Sequence, residues 1–81
     1  MKKKKIRSET LDGLSPGEEA RVVRLISKCG MKGRLTELGF CPGEKVYCAM
    51  ISPLGDPAAY LIRGTLIALR RSDARTVAIE R

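Results

Sequence analysis

Three cysteines, Cys29, Cys41 and Cys48, are the side chains of this 81-residue sequence best suited to bind a metal ion or to undergo redox chemistry. They are separated by twelve and seven residues, so none forms the Cys-x-x-Cys pair typical of zinc sites. The chain contains no histidine, and three thiolates alone would need an outside ligand to complete a tetrahedral site. The odd number also argues against a disulfide framework. We therefore predict reduced thiols and no metal site.

The surroundings of two cysteines support this prediction. Cys48 alternates with Val46 and Met50, which is the pattern of a small residue packed in a core. Cys29 lies in a predicted loop beside Gly30, and we expect it to be the most exposed of the three thiols.

Other catalytic and binding signatures are missing from the sequence. No nucleophile-base pair, phosphate-binding loop or dinucleotide fingerprint is present, and histidine, the commonest general base, is absent. Glu37 and Asp56 would share a hard-metal site only if folding brought them together. A chain of this length buries only ~60% of its unfolded surface, which leaves little room for a deep active site. We predict a protein that is not an enzyme and that holds no cofactor.

The net charge of +7 is concentrated in a lysine-rich start. Residues 1–7 hold five of the sixteen basic residues and no acidic one, whereas residues 8–81 hold eleven basic and nine acidic residues, a balance of +2. We predict a disordered basic tail over 1–7 and one folded domain over 8–81. The nearly neutral domain has one Phe, two Tyr and no Trp, so it offers few stacking platforms for nucleic acid.

The sequence also lacks the apolar segments that membranes and secretion require. Charged residues interrupt the stretch after the lysines, where a signal peptide would have its apolar region. The longest charge-free stretch, Val46 to Gly55, is about half of the ~20 residues that a spanning helix needs. We expect a cytoplasmic protein without direct membrane insertion.

The apolar periodicity predicts a mainly β chain of five strands and one helix. Short strands joined by tight turns favour a small barrel, because closure removes exposed edges. In the first strand we place Ala20, Val22 and Ile26 on one face, and Val23 and Leu25 on the other. Gly64 indicates a bulge or sharp bend between two strands. The predicted strands are Glu19–Ile26, Lys45–Ser52, Ala58–Arg63, Thr65–Leu69 and Thr76–Glu80, with a helix over Met31–Leu38 and one helical turn over Arg70–Ala74.

The predicted helix carries a clear stop signal. Met31, Leu35 and Leu38 recur at i, i+4 and i+7 and form one apolar stripe. Gly39 is expected to adopt the left-handed conformation just after the helix, so that Phe40 folds back onto Leu35 in a Schellman ending.

The order of these motifs closely resembles the FeoA family, the small cytoplasmic proteins of bacterial ferrous iron transport. The resemblance covers about residues 10–80. It implies an SH3-like β-barrel with an inserted helix and an accessory role toward the membrane permease FeoB, whose cytoplasmic part carries a GTPase domain. The matching residues are Leu11, Leu14, Pro16-Gly17, Val22, Arg34-Leu35, Leu38-Gly39, Pro42-Gly43, Pro53-Leu54-Gly55-Asp56-Pro57, Gly64, Ala68-Leu69-Arg70, Ala74 and Ile79.

From this resemblance we expect an interaction module that docks on the permease at the inner face of the membrane and modulates transport. The helix would bury one stripe and leave Lys32, Arg34, Thr36 and Glu37 outside for the partner. Two alternatives remain open at this point: a small barrel that binds nucleic acid, and an iron carrier or sensor domain. The oligomeric state is not predicted.

Overall fold

A single antiparallel sheet organises the chain in the computed structural model, which describes residues 9–26 and 31–81. The strand order is β1-β6-β2-β3-β4-β5, so β1 and β5 are the two ends of the sheet. The predicted tail over 1–7 and Cys29 lie outside the described residues. The elements are β1 (Glu9–Thr10), a 3₁₀ turn (Leu11–Gly13), β2 (Glu19–Leu25), α1 (Met31–Leu38), β3 (Lys45–Ile51), β4 (Ala58–Ile62), β5 (Thr65–Leu69), α2 (Arg71–Ala74) and β6 (Val77–Glu80).

The mainly β architecture with one inserted helix is confirmed. Each of the five predicted strands is present, and α2 replaces the predicted helical turn. The predicted count of five strands was one too low, because β1 pairs with β6 through Glu9 opposite Ile79 and Thr10 opposite Ala78. A strand of two residues has no detectable period, so the sequence pattern did not reveal it.

The sheet packs around one hydrophobic core. Every strand from β2 to β6 contributes side chains to this core, and the turns before β2 and after α1 close it with Leu14 and Phe40. Cys48 is fully buried in it, as predicted. The buried side chains are Leu11, Leu14, Ala20, Val22, Leu35, Phe40, Val46, Cys48, Ala58, Tyr60, Ile62, Leu69, Ala74, Val77 and Ile79.

A β-bulge in β2 overturns the predicted faces of that strand. The register against β6 shifts between Val22 and Arg24, which adds one residue and reverses the alternation beyond it. Leu25 consequently packs against the core, while Ile26 is 42% exposed. The prediction that Ile26 shares the inner face of Ala20 and Val22 was therefore wrong.

A two-residue turn joins β4 to β5. Arg63 and Gly64 have φ angles of 52° and 80°, and Ile62 pairs with Thr65 across the turn. Two consecutive left-handed residues are typical of a type I′ hairpin, whose twist matches that of the strands. The bend predicted at Gly64 is this hairpin turn, and β4 ends one residue before the predicted Arg63.

The end of α1 is a Schellman motif, as predicted. The Phe40 N–H donates to the Leu35 carbonyl and the Gly39 N–H to the Thr36 carbonyl, each at 3.0 Å. Gly39 has a φ of 113°, a conformation that side chains with a Cβ rarely adopt. Leu35 and Phe40 are both buried in the core, so this turn fixes where α1 meets the sheet.

Substituting the two glycines of this region should shift stability in opposite directions. We expect Gly39→Ala to destabilise the fold by about 1 kcal/mol or more, because of its positive φ. Its new Cβ would also lie 3.2 Å from Cδ of Arg63. The matched control is Gly33→Ala inside α1, where nothing lies within 4 Å of the new Cβ. That change should stabilise by about 0.5–1 kcal/mol through helix propensity. Urea unfolding of both variants measures this, and equal effects would contradict the observed ending of α1.

Tyr60 is a buried residue whose ionisation is unfavourable in the fold. It is 1% exposed, and its hydroxyl donates a long hydrogen bond of 3.4 Å to the carbonyl of Leu11. Burial raises the pKa of Tyr60 to about 12, because the phenolate would lose its hydration. Burial also raises the pKa of the Cys48 thiol.

The stability of the domain should consequently fall in alkali. An unfolded tyrosine ionises near pH ~10, whereas Tyr60 in the fold holds its proton until about pH 12. The stability that protonated Tyr60 contributes is fully present below the pKa of the unfolded tyrosine. It is lost as the pH rises toward the pKa of Tyr60 in the fold. We measure how much the free energy of unfolding falls between neutral pH and a pH midway between these two pKa values, using urea unfolding. We expect this fall to be about 1 kcal/mol smaller in Tyr60→Phe than in the wild type. Tyr47→Phe, at a tyrosine that is 38% exposed, is the control and should leave the alkaline loss in place.

Candidate docking surface

The predicted partner-binding residues lie on α1. Arg34, Thr36 and Glu37 are exposed, as the helical periodicity predicted. Lys32 lies in the first turn of the helix, and its side chain is outside the described part of the structure. The Thr36 backbone carbonyl belongs to the Schellman ending and also accepts a contact of 3.6 Å from the Cys41 thiol. All four residues therefore lie on one helix, three of them with exposed side chains, and their role in binding stays a prediction.

Leu38 departs from the predicted apolar stripe. Leu35 is 1% exposed, but Leu38 is 38% exposed and lies at the margin of a surface groove. The helix is only eight residues long, so one buried leucine and the following Phe40 are enough to anchor it. The sequence pattern identified both leucines as apolar but could not tell a core position from a groove position.

This groove lies between α1 and the chain that runs from the end of β5 into α2. Its volume is about 400 Å³. One wall is α1, and the other is formed mainly by β5 and α2. The two walls are therefore far apart in sequence. We call it the α1–β5 groove, and the residues that line it are Arg34, Leu35, Leu38, Ala68, Leu69, Arg70, Ser72 and Asp73.

Arginines outnumber carboxylates around the α1–β5 groove, where the Asp56 carboxylate accepts a hydrogen bond from the Arg71 backbone N–H at 2.9 Å. Arg34 and Arg70 line it, Arg63 lies at the β4–β5 turn, and Arg71 begins α2. Among the described residues, none of these four guanidinium groups forms an ion pair. Asp73 is the single carboxylate in the lining. The groove is therefore suited to a surface that carries acidic groups.

The paired charges lie elsewhere, near β1 and the end of β6. Arg81 bridges Glu9 at 2.9 Å and Glu18 at 2.7 Å. The Ser15 N–H also donates to the Glu18 carboxylate, and this bond, with the Arg81 charge, holds the pKa of Glu18 below its usual value. Two longer pairs are also present among the described residues, Lys45 with Glu19 at 3.9 Å across β2 and β3, and Arg75 with Asp12 at 4.0 Å.

Metal ligands are not gathered in the part of the chain that the structure describes. Over residues 9–26 and 31–81, no three His, Cys, Asp or Glu side chains come together in a way that could hold an ion. Cys41 is half-buried and Cys48 fully buried, so neither presents an exposed thiolate. Glu37 and Asp56 do not meet in such a group either.

Within the described residues, no helix is both long and apolar enough to cross a membrane.

The fold and the motif order have known relatives. A sequence model of the FeoA domain matches residues 9–81. This chain belongs to the FeoA family. The family is associated with ferrous iron transport, so the resemblance inferred from the sequence is confirmed.

One relative joins this domain to a transporter. The protein from Porphyromonas gingivalis is an Fe(2+) transport protein A/Fe(2+) transporter FeoB fusion protein, 33% identical to this FeoA-family chain over 70 residues. The match covers 86% of this chain but 8% of the fusion protein. This chain therefore corresponds to a small part of that relative.

Two solved structures show the same fold. The iron(II) transport protein A of Clostridium thermocellum is 35% identical, with a TM-score of 0.84 over 89% of this chain and 44% of that one. FeoA of Stenotrophomonas maltophilia complexed with zinc is 32% identical, with a TM-score of 0.79 over 89% of both chains. The second is described as a procaryotic SH3 domain protein, so the expected SH3-like fold is confirmed.

Sequence analysis missed the half of the groove that β5 and α2 provide. Ala68 and Leu69 were predicted as ordinary strand residues, and the adjacent pair Arg70-Arg71 is the one local signal that could have indicated a charged surface here. Their position opposite α1 depends on pairing between distant segments, which no local pattern encodes.

We expect the purified FeoA-family protein to show no tight intrinsic site for Fe(II), because no ligand cluster of suitable type and spacing can be identified. Anaerobic calorimetry with Fe(II) should give no stoichiometric heat at micromolar protein. Stoichiometric binding that Cys29→Ser abolishes, and that the control Cys41→Ser retains, would contradict this expectation and favour a metal carrier.

Proposed function

We propose that this FeoA-family protein is a non-enzymatic accessory subunit of ferrous iron uptake. It docks on the cytoplasmic part of a FeoB-type permease, at the inner face of the membrane, and modulates transport. The observation that carries this proposal is the fusion of the two proteins in Porphyromonas gingivalis. A covalent link keeps two domains at high effective concentration, which is favourable when their function depends on contact.

The surface of the domain supports binding of a protein rather than catalysis. The α1–β5 groove is open, and its lining contains no cysteine and only one carboxylate, Asp73. The exposed charges of α1 adjoin it through Arg34. Exposed charged side chains speed association with a partner and fix the orientation in which it binds. They contribute little to the stability of the fold because water screens them.

The docking face is α1, where Arg34 and Glu37 project from the surface with Thr36. A charge swap on this helix, Arg34→Glu with Glu37→Lys, preserves the net charge of the protein. It should reverse any local charge complementarity with the permease without removing a buried group.

The charge-swapped variant should fold normally and fail to support uptake. We expect a melting temperature close to that of the wild type, and at least about tenfold weaker association with the permease, the effect of about 1.4 kcal/mol. Ferrous iron uptake is measured in a strain that lacks the protein and is complemented with the variant. Association is measured by the amount of permease that co-purifies with the variant from membranes.

A matched control keeps the same chemistry at another place. Glu19→Lys with Lys45→Glu also swaps one acid and one base, in a pair that is exposed on β2 and β3. This control should restore uptake fully. If the α1 variant restores uptake as well, α1 is not the docking face. If wild-type protein neither binds the permease nor supports uptake, the proposed function is wrong.

Removal of residues 1–7 separates the partner from nonspecific polyanion binding. The deletion should abolish most binding to nucleic acid, and the remainder should weaken steeply with salt through counterion release. Uptake should survive. Loss of uptake on this deletion, with normal folding, would assign the docking role to the lysines instead of α1.

A further inference from the structure

The strand β5 is a free edge of the sheet. It lies at one end of the strand order, and among the described residues it pairs only with β4. Proteins usually protect such an edge with lysine, proline or a bulge. The residues of β5 are Thr, Leu, Ile, Ala and Leu, and its pairing with β4 is regular, so β5 has none of these devices.

The pairing register shows which backbone groups the edge presents. Ile62 and Thr65 flank the two-residue turn, a position where facing residues exchange both hydrogen bonds. Hydrogen-bonded and non-hydrogen-bonded pairs then alternate along an antiparallel ladder. Leu66 and Ala68 consequently direct their N–H and C=O groups away from β4. These four groups form no hydrogen bond to another described residue.

The side chains beside this edge are apolar and exposed. Leu66 is 59% exposed and lies across from Leu61, which in turn lies across from Tyr47. A second row runs from Ala68 through Ala59. An additional strand would therefore extend two apolar rows that already cross the outer face of the sheet.

The α1–β5 groove lies next to the second half of this edge. Ala68, Leu69 and Arg70 line one wall, and Leu38 and Arg34 of α1 form the other. Its volume of about 400 Å³ provides space for an extended segment beside the strand. The edge of β5 thus combines three features: backbone groups without hydrogen-bond partners among the described residues, apolar side chains beside them, and open space.

The surrounding charge decides between two occupants of the edge. Antiparallel pairing of β5 with β5 of a second copy would bring the start of each strand, next to Arg63, to the end of the other strand, which leads into Arg70 and Arg71. Those guanidinium groups have no ion pairs among the described residues, so this arrangement brings like charges together. A partner strand with acidic residues at its ends would instead be attracted by them.

We propose that an extended, acid-flanked segment of the permease's cytoplasmic part adds to β5 as a further strand, hydrogen-bonded to Leu66 and Ala68. This inference rests on the proposed function, since it names β5 as a second element, across the groove from α1, that the permease contacts. Main-chain hydrogen bonds supply affinity in such strand addition, and alternate side chains supply specificity. The segment's apolar side chains pack beside Leu66 and its acidic ends face Arg63 and Arg70.

Hydrogen-deuterium exchange tests the position of the added strand. The full-length protein is measured alone and with the full-length permease in nanodiscs. We expect slower exchange of the Leu66 and Ala68 amides in the complex. If the permease binds but these amides exchange as in the free protein, the strand addition is wrong while the proposed function stands. If the permease does not bind at all, the proposed function fails and this inference fails with it.

A pair of substitutions at one position tests the hydrogen bond itself. Ala68→Pro removes an N–H that points away from β4, so no bond of the existing ladder is lost. Ala68→Thr is the matched control, because it keeps the N–H and suits a strand. We expect Ala68→Pro to weaken permease binding about tenfold, the effect of roughly one lost hydrogen bond, and Ala68→Thr to leave it nearly unchanged.

Leu66→Lys, which places a charge on the exposed edge, gives a second route to the same loss should the proline variant unfold. Full binding by a folded Ala68→Pro or Leu66→Lys variant overturns the inference.

The charge of the partner segment has its own test. Arg70→Glu should weaken binding to the permease severalfold and reduce its salt dependence, whereas Arg24→Glu, at an exposed arginine of β2, should not. Equal effects of the two variants would show that the segment is not acid-flanked.

A second copy of the chain is the other possible occupant. If hydrogen-deuterium exchange in β5 of the protein alone slows as the protein concentration rises, the occupant is a second copy and the proposal is overturned.

Discussion

The position of α1 depends on one backbone conformation, the left-handed turn at Gly39. The helix is inserted between β2 and β3, and it is short, so it has few contacts of its own to hold it. Because Gly39 turns the chain sharply, Leu35 enters the core from the helix and Phe40 enters it from the following turn. This double anchor stabilises the helix against the sheet and leaves Arg34, the residue before Leu35, available at the groove.

Local patterns were sufficient to predict most of the fold. The Schellman ending, the buried Cys48 and the strands from β2 to β6 all follow from periodicity and turn residues that lie close together in sequence. The failures share a physical reason. The bulge that exposes Ile26, the strand β1 and the exposure of Leu38 are each decided by a neighbour distant in sequence. Half of the groove was missed for the same reason, since β5 forms a wall of the groove only by lying opposite α1.

The charges of the domain divide into two groups with different consequences. Near β1 and β6, Arg81 is shared by Glu9 and Glu18, and such exposed pairs add modestly to stability. Around the groove, Arg34 and Arg70 have no ionic partners among the described residues. The charges are therefore unevenly distributed: those near β1 and β6 are paired, whereas the arginines at the groove are not paired with any described residue.

The contact between Glu9 and Arg81 also places the first described residue of the domain beside its last. A module whose ends meet can be spliced into a larger polypeptide, or tethered to one, without a linker that crosses its surface. The junction would lie at β1 and β6, at the opposite end of the strand order from β5. Adjacent ends suit a domain that is found joined to a transporter in one relative.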